Sequence, residues 1–253
     1  MSLEIDDVSK LFDGLQVLDG VTLTVPAEGL VGLIGPNGAG KSTLFSIVSG
    51  FERASRGGVR FEGRRLDGLP PEARARLGIA RTFQVPRLFA HLSVRENLAV
   101  AAPDQEGERL VEVFFRGGRM RARDREVMAR VDEIVDFLRL RPVAETAAGQ
   151  LSGGQRKLVE LGRALMTRPR LVLLDEPFAG VNPVLIEELA AHIRALFRRG
   201  IGFLIVEHNL AALTRLVERL VVMDRGRILA DGAPAAVLRD PAVREAYVGG
   251  AAT

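Results

Sequence analysis

The sequence predicts an α/β fold in which helices wrap a mostly parallel sheet, and three observations carry that expectation. The apolar run Leu30 to Ile34 is short, is stopped by Gly35, and feeds a glycine-rich loop that opens a helix over Lys41 to Val48. From Leu171 a strand (LVLLD), a helix from about Pro183 to Arg198 and a second strand (IGFLIV) follow one another, the rhythm of parallel strands joined by helices. Between them Val127, Val131, Ile134, Val135 and Leu138 recur at helical spacing among Arg, Asp and Glu. A mostly helical part is therefore expected at about residues 86–165, inserted in a single domain that spans 1–253. Nearer the start, Leu3 to Val8 and Val21 to Val25 alternate as strands do, and Gly58 to Gly63 reads as a short strand and turn.

The bulk composition narrows the classes. Of 253 residues 47% are hydrophobic and 26% charged, which suits one large globular domain. The chain has no cysteine, so disulfides and thiolate metal sites are excluded. Lysine occurs only as Lys10, Lys41 and Lys157, and the other basic residues are arginine. Acidic residues nearly balance them to a net charge of +3, so no nucleic-acid partner is expected. The start, MSLEIDDVSKLF, has no basic segment leading into an apolar run, and no stretch of eighteen apolar residues occurs. Neither a signal peptide nor a membrane span is expected, and work at a membrane would go through a partner. The one marked basic run, Arg116 to Arg125, reads as a solvated loop, with contact to lipid phosphates or a permease as the alternative.

Gly35 to Thr43 (GPNGAGKST) satisfies the phosphate-loop pattern in the context its chemistry needs, after a buried strand and before a helix. In the loop of Gly35, Pro36, Asn37, Gly38, Ala39 and Gly40 the glycines let the backbone curl so that N–H groups face phosphates, and the helix N-terminus adds its positive end. Lys41 would reach the β- and γ-phosphates, the Ser42 hydroxyl would ligate Mg²⁺, and Thr43 completes the motif. Asp175 ends a buried strand, where ligands sit in open α/β sheets, and can hold Mg²⁺ through water. Glu176 follows and can orient or deprotonate an attacking water; an acidic turn capping the strand is the alternative. His208 follows the strand in LIVEHN. Its spacing alone favours a structural histidine over one that polarises a γ-phosphate or holds Glu176. His91 and His192 read as surface or packing residues.

Leu151 to Gln155 reads LSGGQ, with Ser152 placed as the N-cap of a helix carrying Leu158, Leu161 and Leu165. Its position between the phosphate loop and the acidic strand end resembles the ABC ATPase family over essentially the whole chain. That resemblance implies a P-loop nucleotide-binding domain with a mostly parallel core sheet, a small antiparallel β subdomain and a helical subdomain. It further implies ATP and Mg²⁺ as ligands and a catalytic Glu176. Asp175 and Gln84, in RTFQ, would stand on the metal side, with His208 as the switch histidine and Phe12 stacked on adenine in place of the more common Tyr. The signature residues Ser152, Gly153, Gly154 and Gln155 would act on nucleotide held by a second ATPase chain, identical or related. Asn182 stands where many members have Asp.

RTFQVPRLFAHLSVRENL, EPFAGVNP and DPAVREAYVGG are similar to the branch that powers branched-chain amino acid importers. Permease subunits, and indirectly an extracytoplasmic solute-binding protein, would then be partners, at the cytoplasmic face of the inner membrane. ATPases serving urea or moving lipopolysaccharide share much of this pattern, and the iron–sulfur assembly ATPase is the soluble alternative.

Overall fold

The computed structural model describes residues 2–26, 28–103 and 117–249. A six-stranded sheet forms the centre. Its order is β10 (Arg227–Gly232), β9 (Arg219–Asp224), β3 (Leu30–Ile34), β8 (Gly202–Val206), β7 (Leu171–Asp175) and β6 (Ile79–Arg81). All neighbours run parallel except the edge pair β9 and β10. A second, antiparallel sheet has the order β2 (Leu15–Pro26), β1 (Ser2–Phe12), β4 (Arg56–Phe61) and β5 (Arg64–Arg65).

Residues of the central strands are buried on both faces, and period-two alternation sorts their side chains between two cores. On β7, Leu171 and Leu173 face the antiparallel sheet together with Leu204 and Val206 of β8 and Leu44, Phe45 and Val48 of α1 (Lys41–Ser49). Val172, Leu174, Phe203 and Ile205 face the other way. There they pack with Val131, Ile134 and Val135 of α4 (Gly117–Phe137), with Leu138 just after it, and with Leu158, Leu161 and Leu165 of α5 (Gly153–Met166). Within 86–165 the described helices are α3 (Val94–Val100), α4 and α5, and two short 3₁₀ turns stand at Arg141–Val143 and Ala148–Gln150. Of the basic run, Arg116 lies outside the described residues, and Gly117 to Arg125 form the start of α4 in place of the expected loop. Further along it, Arg123 is tied to Glu126 and to the Pro103 carbonyl.

Some elements exceed the sequence expectation. The first strand runs on past Val8 to Phe12 because irregularities in its pairing between Ile5 and Leu11, with Asp7 at φ 47°, reset its register. β6, β9 and β10 were not singled out; β6 is three residues long, too short for a pattern. The remaining helices among the described residues are α2 (Pro71–Arg76), α6 (Pro183–Phe197), α7 (Leu210–Leu216), α8 (Pro234–Val237) and α9 (Pro241–Gly249). Among the described residues no helix is long and apolar enough to cross a membrane.

Register decides where chemistry collects. Leu33 pairs with Val206, Asp175 also pairs with Val206, and Arg81 pairs with Leu173. The carboxyl ends of β3, β6, β7 and β8 therefore stop in one row, and the residues that follow each strand share one rim.

Candidate functional site

The first strand end supplies the phosphate loop. Gly40 is the N-cap of α1 with φ 97°, and a Cβ there would stand 2.6 Å from Leu18 Cδ2, so glycine is required both for conformation and for close approach. That contact also seats the β1–β2 hairpin, which carries Phe12, on the loop. Phe12 is an exposed ring with the Lys10 ammonium 4.4 Å from its centroid. Lys41 is buried, and its Nζ donates to the carbonyls of Gly35 (2.7 Å) and Pro36 (2.9 Å). Burial lowers its pKa, and the nearby Glu176 and Asp175 carboxylates oppose that shift. Ser42 is exposed at the first turn of α1. Tyr247 of α9, its hydroxyl pushed up to about 12 by burial, hydrogen-bonds the Gly35 backbone and so brings the C-terminal helix to the loop.

The end of β7 supplies the acids. Asp175 is buried, and its Oδ2 accepts from Arg81 at 3.1 Å. Arg81 also donates to Ser46 and Ser49 of α1, and its guanidinium lies against the rings of Phe45, Phe51 and Phe83. Glu176 adopts φ 48°, a left-handed conformation that costs a non-glycine residue about 1–2 kcal/mol. Both of its carboxylate oxygens are held: Oε1 lies 3.1 Å from His208 Nε2, and Oε2 accepts from Gln84 Nε2 at 2.8 Å. Gln84, Glu176 and His208 thus meet although 92 residues separate the first two. His208 has the positioning contact that its spacing left as one of two readings.

The signature segment is built differently. Ser152 caps α5: its hydroxyl accepts from Gln155 N–H at 3.2 Å, and the Gln155 side-chain oxygen accepts from Ser152 N–H at 2.9 Å. Gly154 is buried where a Cβ would come within 1.8 Å of Leu185 Cδ2, and a Cβ on Gly153 would lie 3.7 Å from the Gly180 carbonyl. These residues pack against the segment leading into α6. Asn182 is the N-cap of that helix and accepts from Leu185 N–H at 3.0 Å, a bond that Asp makes equally well.

Four residues of the site were not identified from sequence. Arg81 holds Asp175. Glu207, nearly fully buried, accepts N–H bonds from Phe178, His208 and Asn209, which fixes the turn after β7 to the histidine; burial raises its pKa against those bonds. Glu160 accepts from Phe83 N–H, and its pKa is likewise raised by burial. Lys157 Nζ donates to the carbonyls of Gln84 (2.6 Å) and Glu176 (3.0 Å). The signal for Glu207 and Glu160 was a charge directly after apolar residues, in IVEHN and KLVELG.

Among the described residues no three His, Cys, Asp or Glu side chains form a cage for a metal ion. The oxygen donors Ser42, Gln84 and Asp175, with one carboxylate among them, nevertheless suit Mg²⁺, which takes one or two carboxylates and completes its shell with phosphates and water.

A loop of backbone N–H groups at a helix start, a buried lysine and a doubly held carboxylate along one sheet rim define a nucleoside-triphosphate site of the P-loop class. The sequence matches the ABC transporter family over residues 18–179 and the C-terminal region of branched-chain amino acid ATP-binding cassette transporters over 227–253. The chain belongs to the ABC transporter ATPase family. It is 40% identical over 247 residues to a probable branched-chain amino acid transport ATP-binding protein, LivG, of Archaeoglobus fulgidus, covering 98% of this chain and 95% of the relative. It is 36% identical to BraF, a high-affinity branched-chain amino acid transport ATP-binding protein of Pseudomonas aeruginosa, covering 98% and 97%. The lipopolysaccharide export ATP-binding protein LptB of Escherichia coli is 34% identical, again covering 98% and 97%. Among solved structures, a nucleotide-free ATP-binding cassette from an ABC transporter superposes with a TM-score of 0.86 at 38% identity, covering 98% of this chain and 99% of that one.

Proposed function

We propose that this chain hydrolyses ATP to drive a membrane importer of branched-chain or related amino acids. The observation that carries the hydrolytic part is Glu176, whose two oxygens are fixed by Gln84 and His208 beside the buried Lys41. A carboxylate fixed in this way can orient a water in line with the γ-phosphorus and accept its proton as the bond to the β-phosphate oxygen breaks, giving ADP and phosphate. Lys41 and the loop from Gly35 to Gly40 bind the β- and γ-oxygens, Ser42 and Thr43 complete the cradle, and Phe12 stacks on the base. Mg²⁺, when bound with the nucleotide, neutralises phosphate charge, and Ser42, Gln84 and Asp175 would hold it.

The signature residues Ser152 to Gln155 form a helix start with an exposed cap and act on nucleotide held by a second cassette, a copy or a relative. The permeases dock at a cavity of about 460 Å³ beside Gln84, lined by Phe51, Phe83, Arg87 and Arg163. Exposed Val85 and Phe89 flank it in sequence. The chain sits peripherally at the cytoplasmic face of the membrane, and a solute-binding protein delivers the substrate to the permeases.

The match at 227–253 and the greater identity to LivG favour import, while the LptB relatives support the second reading, outward movement of lipopolysaccharide. Tagged Glu176→Gln chain, recovered with ATP from gently solubilised membranes of its host, distinguishes them. Co-purifying multi-span permeases and a second cassette uphold the transporter reading, and the identity of those permeases separates import from export. Recovery of soluble proteins alone would discard both in favour of a soluble ABC-type ATPase. Turnover of the same variant, read by phosphate release, should fall about 10²-fold or more with nucleotide binding retained; near-normal turnover would remove Glu176 from the mechanism.

A further inference from the structure

Lys157 stands on the first turns of α5, five residues after the capping Ser152, and reaches across to the water-handling pair. Its ammonium is buried and donates to two backbone carbonyls, those of Gln84 and Glu176. The side chains of the same two residues bond one another. The result is a closed ring: Lys157 to the Gln84 backbone, Gln84 side chain to Glu176 side chain, Glu176 backbone back to Lys157.

Two further observations give this ring weight. Glu176 occupies a left-handed conformation, so its geometry must be enforced from outside; the Val206 carbonyl takes its N–H at 2.9 Å and Lys157 holds its C=O. The chain also uses lysine at three positions only. Lys157 and Lys41 share a geometry, a single nitrogen set between two backbone carbonyls, which a compact tip with three N–H donors satisfies. Glu160, Glu207, Glu176 and Asp175 surround the charge and offset the cost of burying it.

We propose that Lys157 is a positioning residue that couples the signature helix to catalysis in its own chain, so that a shift of α5 re-aims Gln84 and Glu176 together. The inference rests on the role of Glu176 given above. The experiment compares Lys157→Met, Lys157→Gln and Glu176→Gln for steady-state phosphate release, fluorescent-ATP affinity and melting temperature. Loss of the tie in Lys157→Met should lower kcat at least about tenfold, as a misplaced catalytic group does, with ATP affinity within about twofold. Lys157→Gln, whose amide can still donate to one carbonyl, should recover part of the loss, and should Lys157→Met not fold, it reads the same split against the unaltered chain. The proposal is overturned if kcat stays within about twofold. It is equally overturned if kcat falls only in step with ATP affinity and melting temperature in both variants. Glu176→Gln separates the two ideas: active, it sinks the Glu176 reading; inactive beside a fully active Lys157→Met, it sinks only the coupling.

Discussion

The strand-end cluster and the signature segment are both glycine-bearing helix starts with polar neighbours, yet they are held in opposite ways. In the cluster Lys41 is gripped by carbonyls of its own loop, and the acids by partners from distant parts of the chain: Asp175 by Arg81, Glu176 by Gln84 and His208. In the signature segment Ser152 and Gln155 bond each other, and Ser152 and Gly153 remain exposed. The first arrangement is organised for chemistry within one chain. The second leaves its helix start open to solvent, and this supports the reading in which two chains complete one site.

The sharpest way to break that comparison is to separate the halves. Lys41→Ala and Ser152→Glu chains should each lose nearly all turnover alone, about 10²-fold or more when a phosphate-contacting group is removed. Mixed in equal amounts, they should regain a measurable part of it, because a mixed pair contains one site with an intact phosphate loop and an intact signature. Activity that stays absent in the mixture, with pairing shown by sedimentation, would mean that each chain acts alone.

A smaller effect tests why the signature packs as it does. Gly154→Ala places a methyl group against Leu185, and overpacking of this kind costs about 1–3 kcal/mol. Thermal unfolding should show the loss, and adding Leu185→Ala to the same chain should return much of it. A Gly154→Ala chain as stable as the parent would show that Leu185 moves aside freely.

The smallest effect lies away from both regions. His192 of α6 is buried, tilted 57° against the Phe137 ring at 5.2 Å, and burial lowers its pKa below the ordinary 6.5. The unfolded chain then binds the proton first, so the stability this residue contributes is full above pH 6.5 and lost as pH falls toward the depressed folded value. His192→Leu should therefore flatten the decline of melting temperature below pH 6.5. An unchanged slope would place the acid sensitivity elsewhere.

Much of the site was legible in the sequence because its parts are contiguous. The phosphate loop, the acidic pair and the Ser152 helix cap each lie within a few residues, and their chemistry follows from local backbone conformation and side-chain reach. His208 was ambiguous for the complementary reason: a lone histidine after a strand has no meaning until something faces it. Lys157 was read only as one of three lysines, since nothing within its own helix shows that its partners are carbonyls up to 73 residues away. Asn182, flagged as a departure from Asp, turned out to make a local cap that either residue can provide.

What the sequence determined by itself was the set of elements that adjacent residues specify: a buried strand feeding glycines and a helix, an acidic strand end, a capped helix start. The tertiary structure decided which of them meet. Pairing Asp175 and Leu33 with the same Val206 aligned three strand ends. That alignment set Gln84, Glu176 and His208 in contact and placed the Lys157 ammonium behind them. Strand register is fixed by long-range packing of two buried faces, so no short stretch of sequence displays it.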